Sequence, residues 1–403
     1  MKTLFAVAVL SAFASAQAQN AADAPPWKQG MSPDQAASTL HPFAPNMTGR
    51  AAKELPLDKL KAPAGFKVEV WAEGIPEARS LALGDKGTVF VSNRLAKNVY
   101  AVVDKDGKRE VKTLLKGLNS PNGIAFSKGT LFVAERDRIT RYDGIEDSLD
   151  NPPQPKVVVD NLDPTKQPGH FWKYLAMGPD GKLYFNIGAP GNIVMPSYMQ
   201  ASVMRVDPKT GVLEQVARGV RNSVGITFNP KTKEVWFTNH GRDWLGDNSP
   251  NDTLHRVSLA SKSAPNFGYP FCHQGDTLDP EYGKNRSCSE FAKPALKLGT
   301  HIAPLGVKLY EGKMFPAEYQ GNLFIAMHGS WNRQPKQGYN IMRVTFDAKG
   351  KPKMQPFVTG FLTDEKADPP MWGRPVDLLV MKDGSLLFSD DYNGILYRVS
   401  YAK

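Results

Sequence analysis

Gly123-Ile124-Ala125-Phe126, a turn carrying Gly129, then Thr130-Leu131-Phe132-Val133: this phrase decides the fold. Two short apolar runs alternate at period two across a tight turn, which is the pattern of adjacent antiparallel strands. Five other stretches repeat it. They are Ser80–Leu83 with Thr88–Val91, Tyr174–Met177 with Leu183–Phe185, Gly225–Phe228 with Val235–Phe237, Gly306–Leu309 with Leu323–Ile325, and Asp377–Val380 with Leu386–Phe388. A strand-turn-strand phrase recurring at intervals of tens of residues predicts an all-β radial repeat, a six-bladed β-propeller. A β-sandwich or a pair of barrels is the competing arrangement, but sandwiches rarely repeat one phrase so regularly. Propellers carry their chemistry in loops around one axial mouth, so the loops before and after these strands are where function is sought.

The last unit, Val376 to Tyr401, offers three strands, while Phe66-Lys67-Val68-Glu69-Val70-Trp71 stands alone ahead of the first unit. The early strand resembles the outer strands Lys156–Val159 and Pro356–Val358, so it is expected to complete the last blade and remove two exposed edges. Residues 64–403 then form the propeller and residues 19–63, rich in Pro and Ala, an extended arm with one helical turn near Ser32–Ala37. Residues 1–18 read as a signal peptide. Lys2 precedes the apolar run Leu4–Ala14, and Ala14-Ser15-Ala16 or Ala16-Gln17-Ala18 offers the small residues of a cleavage site. That run is too short to span a bilayer and no later segment is apolar enough, so the mature protein is expected to be periplasmic or secreted, with no membrane span.

Cys272 and Cys288 are the two cysteines, both in a polar insertion after the fourth repeat. In an oxidising compartment they read most simply as a disulfide, with a two-Cys metal site as the weaker alternative. Neither lies in the C-x-x-C-H attachment of a c-type haem. The formal net charge of +10 favours acidic partners or a polyanionic ligand, although solubility alone accounts for much of it. No dense basic cluster with interleaved aromatics is present, which argues against nucleic acid.

The informative loops flank the third and fourth repeats. His170, within Gly169–Tyr174, precedes the third blade, where an imidazole could take the proton of a hydroxyl under oxidation. A packed or capping histidine is the plain alternative. Arg221-Asn222 precedes the fourth blade and could polarise a carbonyl that gains negative charge; an ion-paired Arg and a turn Asn would look the same. After the second strand of that blade comes Asn239-His240-Gly241-Arg242-Asp243, opening an oxygen-rich loop up to Asp252 that could hold a hard cation such as calcium, but without an EF-hand register.

Taken together, these blocks resemble the soluble glucose and sorbosone dehydrogenase family, six-bladed propellers that bind pyrroloquinoline quinone and calcium, and most of all its sorbosone-dehydrogenase-like branch. The match runs from about Leu55 to the end. It rests on His170 with Gly178-Pro179-Asp180, Arg221-Asn222 before Gly225, and Asn239 to Asp243, joined by Asn266-Phe267-Gly268-Tyr269-Pro270, Ala303-Pro304-Leu305-Gly306, His328 to Arg333, and Trp372-Gly373-Arg374-Pro375. The resemblance implies that His170 is the general base and that Arg221 and Asn222 hydrogen-bond the reactive quinone carbonyl. It also implies that His240 contacts the cofactor, that the backbone carbonyls of Gly241 and Arg242 bind calcium, and that Arg374 and Arg333 serve the cofactor's carboxylates. Three departures stand out: Gly169 where glucose-oxidising members have an acidic residue, Val376 in place of a second arginine, and Asp252-Thr253-Leu254-His255 in place of a more acidic phrase. The implied function is an exported quinoprotein dehydrogenase acting on a sugar or sugar-derived aldehyde. Its electrons would go to an external acceptor, a periplasmic cytochrome c or a quinone. A calcium-dependent propeller lactonase and a non-catalytic sugar-binding propeller are the alternatives.

Overall fold

The computed structural model describes residues 25–163 and 169–402, so the predicted leader, residues 1–18, lies outside the described residues. The six predicted repeats are six four-stranded antiparallel sheets. Blade 1 runs through Leu81–Leu83, Val89–Asn93, Asn98–Lys105 and Lys108–Leu115, and blade 2 through Gly123–Ser127, Thr130–Ala134, Ile139–Asp143 and Lys156–Val159. Blade 3 comprises Leu175–Met177, Leu183–Ile187, Ser202–Val206 and Leu213–Arg218, and blade 4 Ile226–Asn229, Glu234–Asn239, Asn251–Ser258 and Leu296–Thr300. Blade 5 is Pro304–Leu309, Leu323–Met327, Asn340–Phe346 and Pro352–Val358. Blade 6 takes Pro375–Val380, Leu386–Asp390 and Ile395–Tyr401, and its fourth strand is Phe66–Ala72, paired antiparallel to the last strand with Phe66 opposite Tyr401. The expected closure of the ring by the early strand is therefore observed.

Each second strand is sandwiched between two blades, and period two distributes its residues between them. Val89 and Val91 pack against Leu379, Leu387 and Leu396 of blade 6, whereas Phe90 between them packs against Ile124, Leu131 and Val133 of blade 2. Both faces are dry, which is why these strands read as nearly unbroken apolar runs.

The innermost strands approach closely enough to exclude side chains. A Cβ on Gly225 would lie 2.1 Å from the Leu305 carbonyl oxygen of blade 5, and one on Gly123 would lie 2.5 Å from the Leu175 amide nitrogen of blade 3. The repeated Gly at the head of these strands is thus a spacing requirement between blades. Below the mouth, Asp377 spans the axis: its carboxylate accepts from the Leu81 amide of blade 1 at 2.8 Å and from the Tyr174 hydroxyl of blade 3 at 3.0 Å.

Gly225→Ala is expected to lower unfolding stability by about 2–3 kcal/mol or more, because backbone rather than a pliable side chain must move. Gly74→Ala, at φ +77° with nothing near its Cβ, should cost only about 1 kcal/mol. Denaturant or thermal unfolding of both variants checks the contrast.

Candidate active site at the axial mouth

In every blade the start of the first strand and the end of the second lie at the same edge, since the two are antiparallel. Backbone pairing continues beyond the strands there. The His170 amide donates to the Ala189 carbonyl at 3.0 Å, the His240 amide to that of Asn222 at 2.8 Å, and the His328 amide to that of Ala303 at 3.1 Å. These edges converge on a cavity of about 930 Å³ whose wall includes His170, Arg221, Asn222, His240 and Arg374. Five of the residues proposed from sequence therefore share one cavity.

His170 makes its Nδ1 contact with the Ala189 carbonyl at 3.1 Å. A carbonyl can only accept, so Nδ1 carries the proton and Nε2 keeps a lone pair with no hydrogen-bond partner among the described residues. Burial, then the Arg221 charge, holds this imidazole well below the usual histidine range, so it is neutral at pH 7. The acidic neighbour expected in related sequences is sterically barred: Gly169 has φ +151°, and a Cβ there would lie 2.5 Å from the Pro190 carbonyl carbon. The Ala189 carbonyl fixes the tautomer instead.

His240 is set the opposite way. Asn222 Nδ2 donates to its Nδ1 at 3.2 Å, and its Nε2 donates to the Pro304 carbonyl at 3.0 Å. Burial and Arg221 bring it down to about 3. A third imidazole, His328, escaped the sequence assignment. Its Nε2 donates to both Asp391 oxygens at 3.0 Å, and burial outweighs that carboxylate to bring it to about 4.

Asp391 is the hub of the opposite wall. Arg79 Nη1 and Arg374 Nε each donate to it at 2.8 Å, alongside His328. Burial pushes the carboxyl up, but Arg374, His328 and Arg79 together outweigh this and hold it well below the usual range. Two guanidiniums share one carboxylate here, which leaves a positive charge in excess at the cavity wall. Arg79 itself is lowered to about 10 by burial and then by Arg94. Arg94 pairs with buried Glu77 at 2.7 Å and lies 4.1 Å above the Trp172 ring.

Arg221 gives four of its five N–H groups to protein acceptors. It donates to the Asn192 carbonyl (2.8 Å), Asn192 Oδ1 (2.9 Å), the Gly241 carbonyl (2.7 Å) and Asp243 Oδ2 (2.8 Å). This bears on the expected calcium site, because neither Gly241 nor Arg242 is on the cavity wall and the Gly241 carbonyl already accepts from a buried cation. A dication at that carbonyl would meet guanidinium repulsion, so the donor set does not fit calcium in this arrangement. The Arg242 side chain turns away to Asp279 (2.5 Å) and Glu281 (2.6 Å). Arg333 is also displaced from its expected role: it is buried behind the wall with Nη1 on Thr300 Oγ1 at 2.7 Å. Cofactor-scale cations are instead supplied by Arg79 and Arg374. A planar tricarboxylate fits these features, since the cavity is roomy, partly aromatic and positively biased.

The expected disulfide, Cys272–Cys288, is present and lies in an insertion between the third and fourth strands of blade 4. It supports the wall indirectly. The insertion carries Asp279, which binds Arg242, and Tyr269, whose hydroxyl accepts from the Val194 amide at 3.0 Å.

Residues 60–277 and 277–402 match the TrAA12-like family. The chain belongs to that family. An uncharacterized protein of Borreliella burgdorferi is 33% identical over 365 residues, covering 88% of this chain and 93% of that protein. A pyrroloquinoline quinone-dependent pyranose dehydrogenase of Coprinopsis cinerea is 25% identical over 338 residues, or 72% of this chain; the chain spans only 45% of that enzyme. The calcium structure of the Trichoderma reesei Carbohydrate-Active Enzymes Family AA12 protein superposes with TM-score 0.74 at 19% identity, covering 89% of this chain and 99% of that one. The holo form of the Coprinopsis PQQ domain does so with TM-score 0.70 at 20% identity, covering 85% and 97%. The family resemblance seen in the motifs is thus borne out, and the structural matches establish the shared six-bladed fold.

Asp391→Asn should cost about 3–5 kcal/mol of stability, because it strands two buried guanidiniums on a neutral amide. Chemical denaturation, with Asp347→Asn on the exposed turn as the near-neutral control, measures it.

Proposed function

We propose that this protein is a pyrroloquinoline quinone-dependent sugar dehydrogenase. The observation that carries the reading is the bare Nε2 of neutral His170 on one wall of a cavity whose opposite wall holds Arg79 and Arg374 around a single carboxylate. When bound, the quinone would supply the hydride acceptor. The surplus charge at Arg79 and Arg374 suits ligand carboxylates, while His170 Nε2 takes the substrate's hydroxyl proton as the carbon bearing it becomes a carbonyl. The burial and Arg221 charge that keep His170 neutral also drive the proton off again after turnover. No step is assigned to calcium. A sugar or sugar-derived aldehyde of the aldose, pyranose or sorbosone type is the substrate class that the family relationship supports. We further propose that the chain is exported, which the disulfide supports, and that electrons leave to a periplasmic cytochrome c or a quinone. The lactonase alternative needs free carboxylates facing the cavity, whereas Asp391 and Asp243 are both held by guanidiniums and the axial Asp377 lies off the cavity wall, bonded to the Leu81 amide and the Tyr174 hydroxyl.

The test is dye reduction by purified protein with pyrroloquinoline quinone, with and without calcium, across aldoses, sorbosone and lactones. Quinone-dependent bleaching with an aldose or sorbosone is expected; quinone-independent lactone hydrolysis would replace this reading with the lactonase. Strict calcium dependence would require Arg221 to release Gly241.

Two variants probe the base. His170→Ala should cut kcat by roughly a hundredfold or more with quinone affinity nearly unchanged, given the usual contribution of about 10²–10⁴ from general-base catalysis. In the wild type, His170 stays neutral well below pH 6.5, so kcat/KM should hold level from pH 8 through 6.5, with its acid limb lower still. Arg221→Gln removes the positive neighbour and should move that limb upward; an unmoved limb would separate Arg221 from the titration of His170.

A further inference from the structure

The arm ahead of the propeller crosses the mouth and supplies part of the cavity wall. Pro26, Trp27 and Gln29 line one side, and Pro42 and Phe43 the other. Its attachments differ at the two ends. At the Phe43 end, the Phe43 carbonyl accepts from Arg374 Nη1 at 2.7 Å, which places this end over the paired cations around Asp391. At the Trp27 end, Gln29 Oε1 accepts from the Asn192 amide at 2.6 Å, and the Gln29 carbonyl accepts from Asn192 Nδ2 at 2.8 Å. Asn192 in turn holds Arg221, the charged neighbour of His170. The Trp27 carbonyl accepts from the Trp244 indole at 2.5 Å, and the Gly30 carbonyl from Arg242 Nη2 at 3.1 Å.

The Trp27 end therefore stands over the wall that bears the proton-accepting imidazole. Its backbone is anchored through the carbonyls of Trp27, Gln29 and Gly30, yet Trp27 remains 39% exposed while lining the cavity. A rigidly held backbone presenting a large aromatic at a wet cavity suits an amphipathic ligand whose C–H face covers the ring while its hydroxyls stay hydrogen-bonded. A pyranose has that surface.

We propose that Pro26–Gln29 is the sugar-binding wall of the cavity, with the Trp27 indole as the stacking face for a pyranose ring, so that the arm sets preference for substrate size. The inference rests on the dehydrogenase reading and is tested alongside it. Trp27→Ala, assayed with the quinone-loaded full chain, should raise KM for pyranoses about tenfold with kcat within twofold. KM for hydrated glycolaldehyde, too small to cover the ring, should stay unchanged, as should quinone affinity. Trp27→Phe should recover most of the pyranose affinity. A pyranose KM unchanged in Trp27→Ala would overturn the proposal, and so would equal losses on glycolaldehyde and quinone, which mark a merely structural role. Calorimetric titration of glucose into the wild type and Trp27→Ala keeps the two readings apart. If no substrate reduces dye, the dehydrogenase reading fails, while glucose binding that is lost in Trp27→Ala still supports the subsite; no glucose binding by the wild type overturns it.

Discussion

The pairing of Phe66–Ala72 with Ile395–Tyr401 holds the ring shut, and the site depends on that seam. Blade 6 meets blade 1 there. Across the same junction Asp391 receives Arg79 at 2.8 Å, Asp377 receives the Leu81 amide at 2.8 Å, and the Ser389 hydroxyl donates to the Arg79 carbonyl at 2.6 Å. Two guanidiniums can share Asp391 only because the first and last blades are locked in register. Ring closure and the positive wall of the cavity are one construction, in which a strand from the start of the propeller sets the spacing of charges at its mouth.

Buried charge of this kind is costly unless every partner is satisfied. The mouth meets that requirement with three separate pairings: Arg94 with Glu77, Arg221 with Asp243, and Arg79 with Arg374 around Asp391. Among these guanidiniums the imidazoles stay neutral, since burial and neighbouring cations both disfavour a further proton. The electrostatics thus leave His170 in its basic form and keep one surplus charge at the opposite wall, a polarity suited to taking a proton at one side and holding an anion at the other.

The fold was legible because each inner strand is buried on both faces, which writes apolar residues at nearly every position. The solitary Phe66–Trp71 strand was legible because a blade was missing its fourth. At the site, residues before the first strands were found at blades 3, 4 and 6, yet the same logic applied to blade 1 would have yielded Arg79. Of the residues after the second strands, His240 stood out in a distinctive loop, whereas Arg94, His328 and Asp391 were harder to find, because a polar residue ending a strand usually serves a turn. Arg333 misled for a related reason. It has the right charge in the right blade, but it lies five residues past His328 and points into the loop. The arm left no signal because four of its attachments use backbone carbonyls, of Trp27, Gln29, Gly30 and Phe43, which any residue can provide.

Gly169 shows how one absent side chain reshapes the chemistry. With its Cβ position taken by Pro190, no carboxylate at that position can reach His170, and the Ala189 carbonyl orients the ring in its place. A carbonyl dipole fixes the tautomer as well as a carboxylate does, but it stabilises the imidazolium far less. The resulting base keeps its lone pair to low pH yet has less thermodynamic pull on the substrate's proton. Such a base suits a hydroxyl that grows more acidic as its carbon gives up a hydride, which is what the proposed dehydrogenation would ask of it.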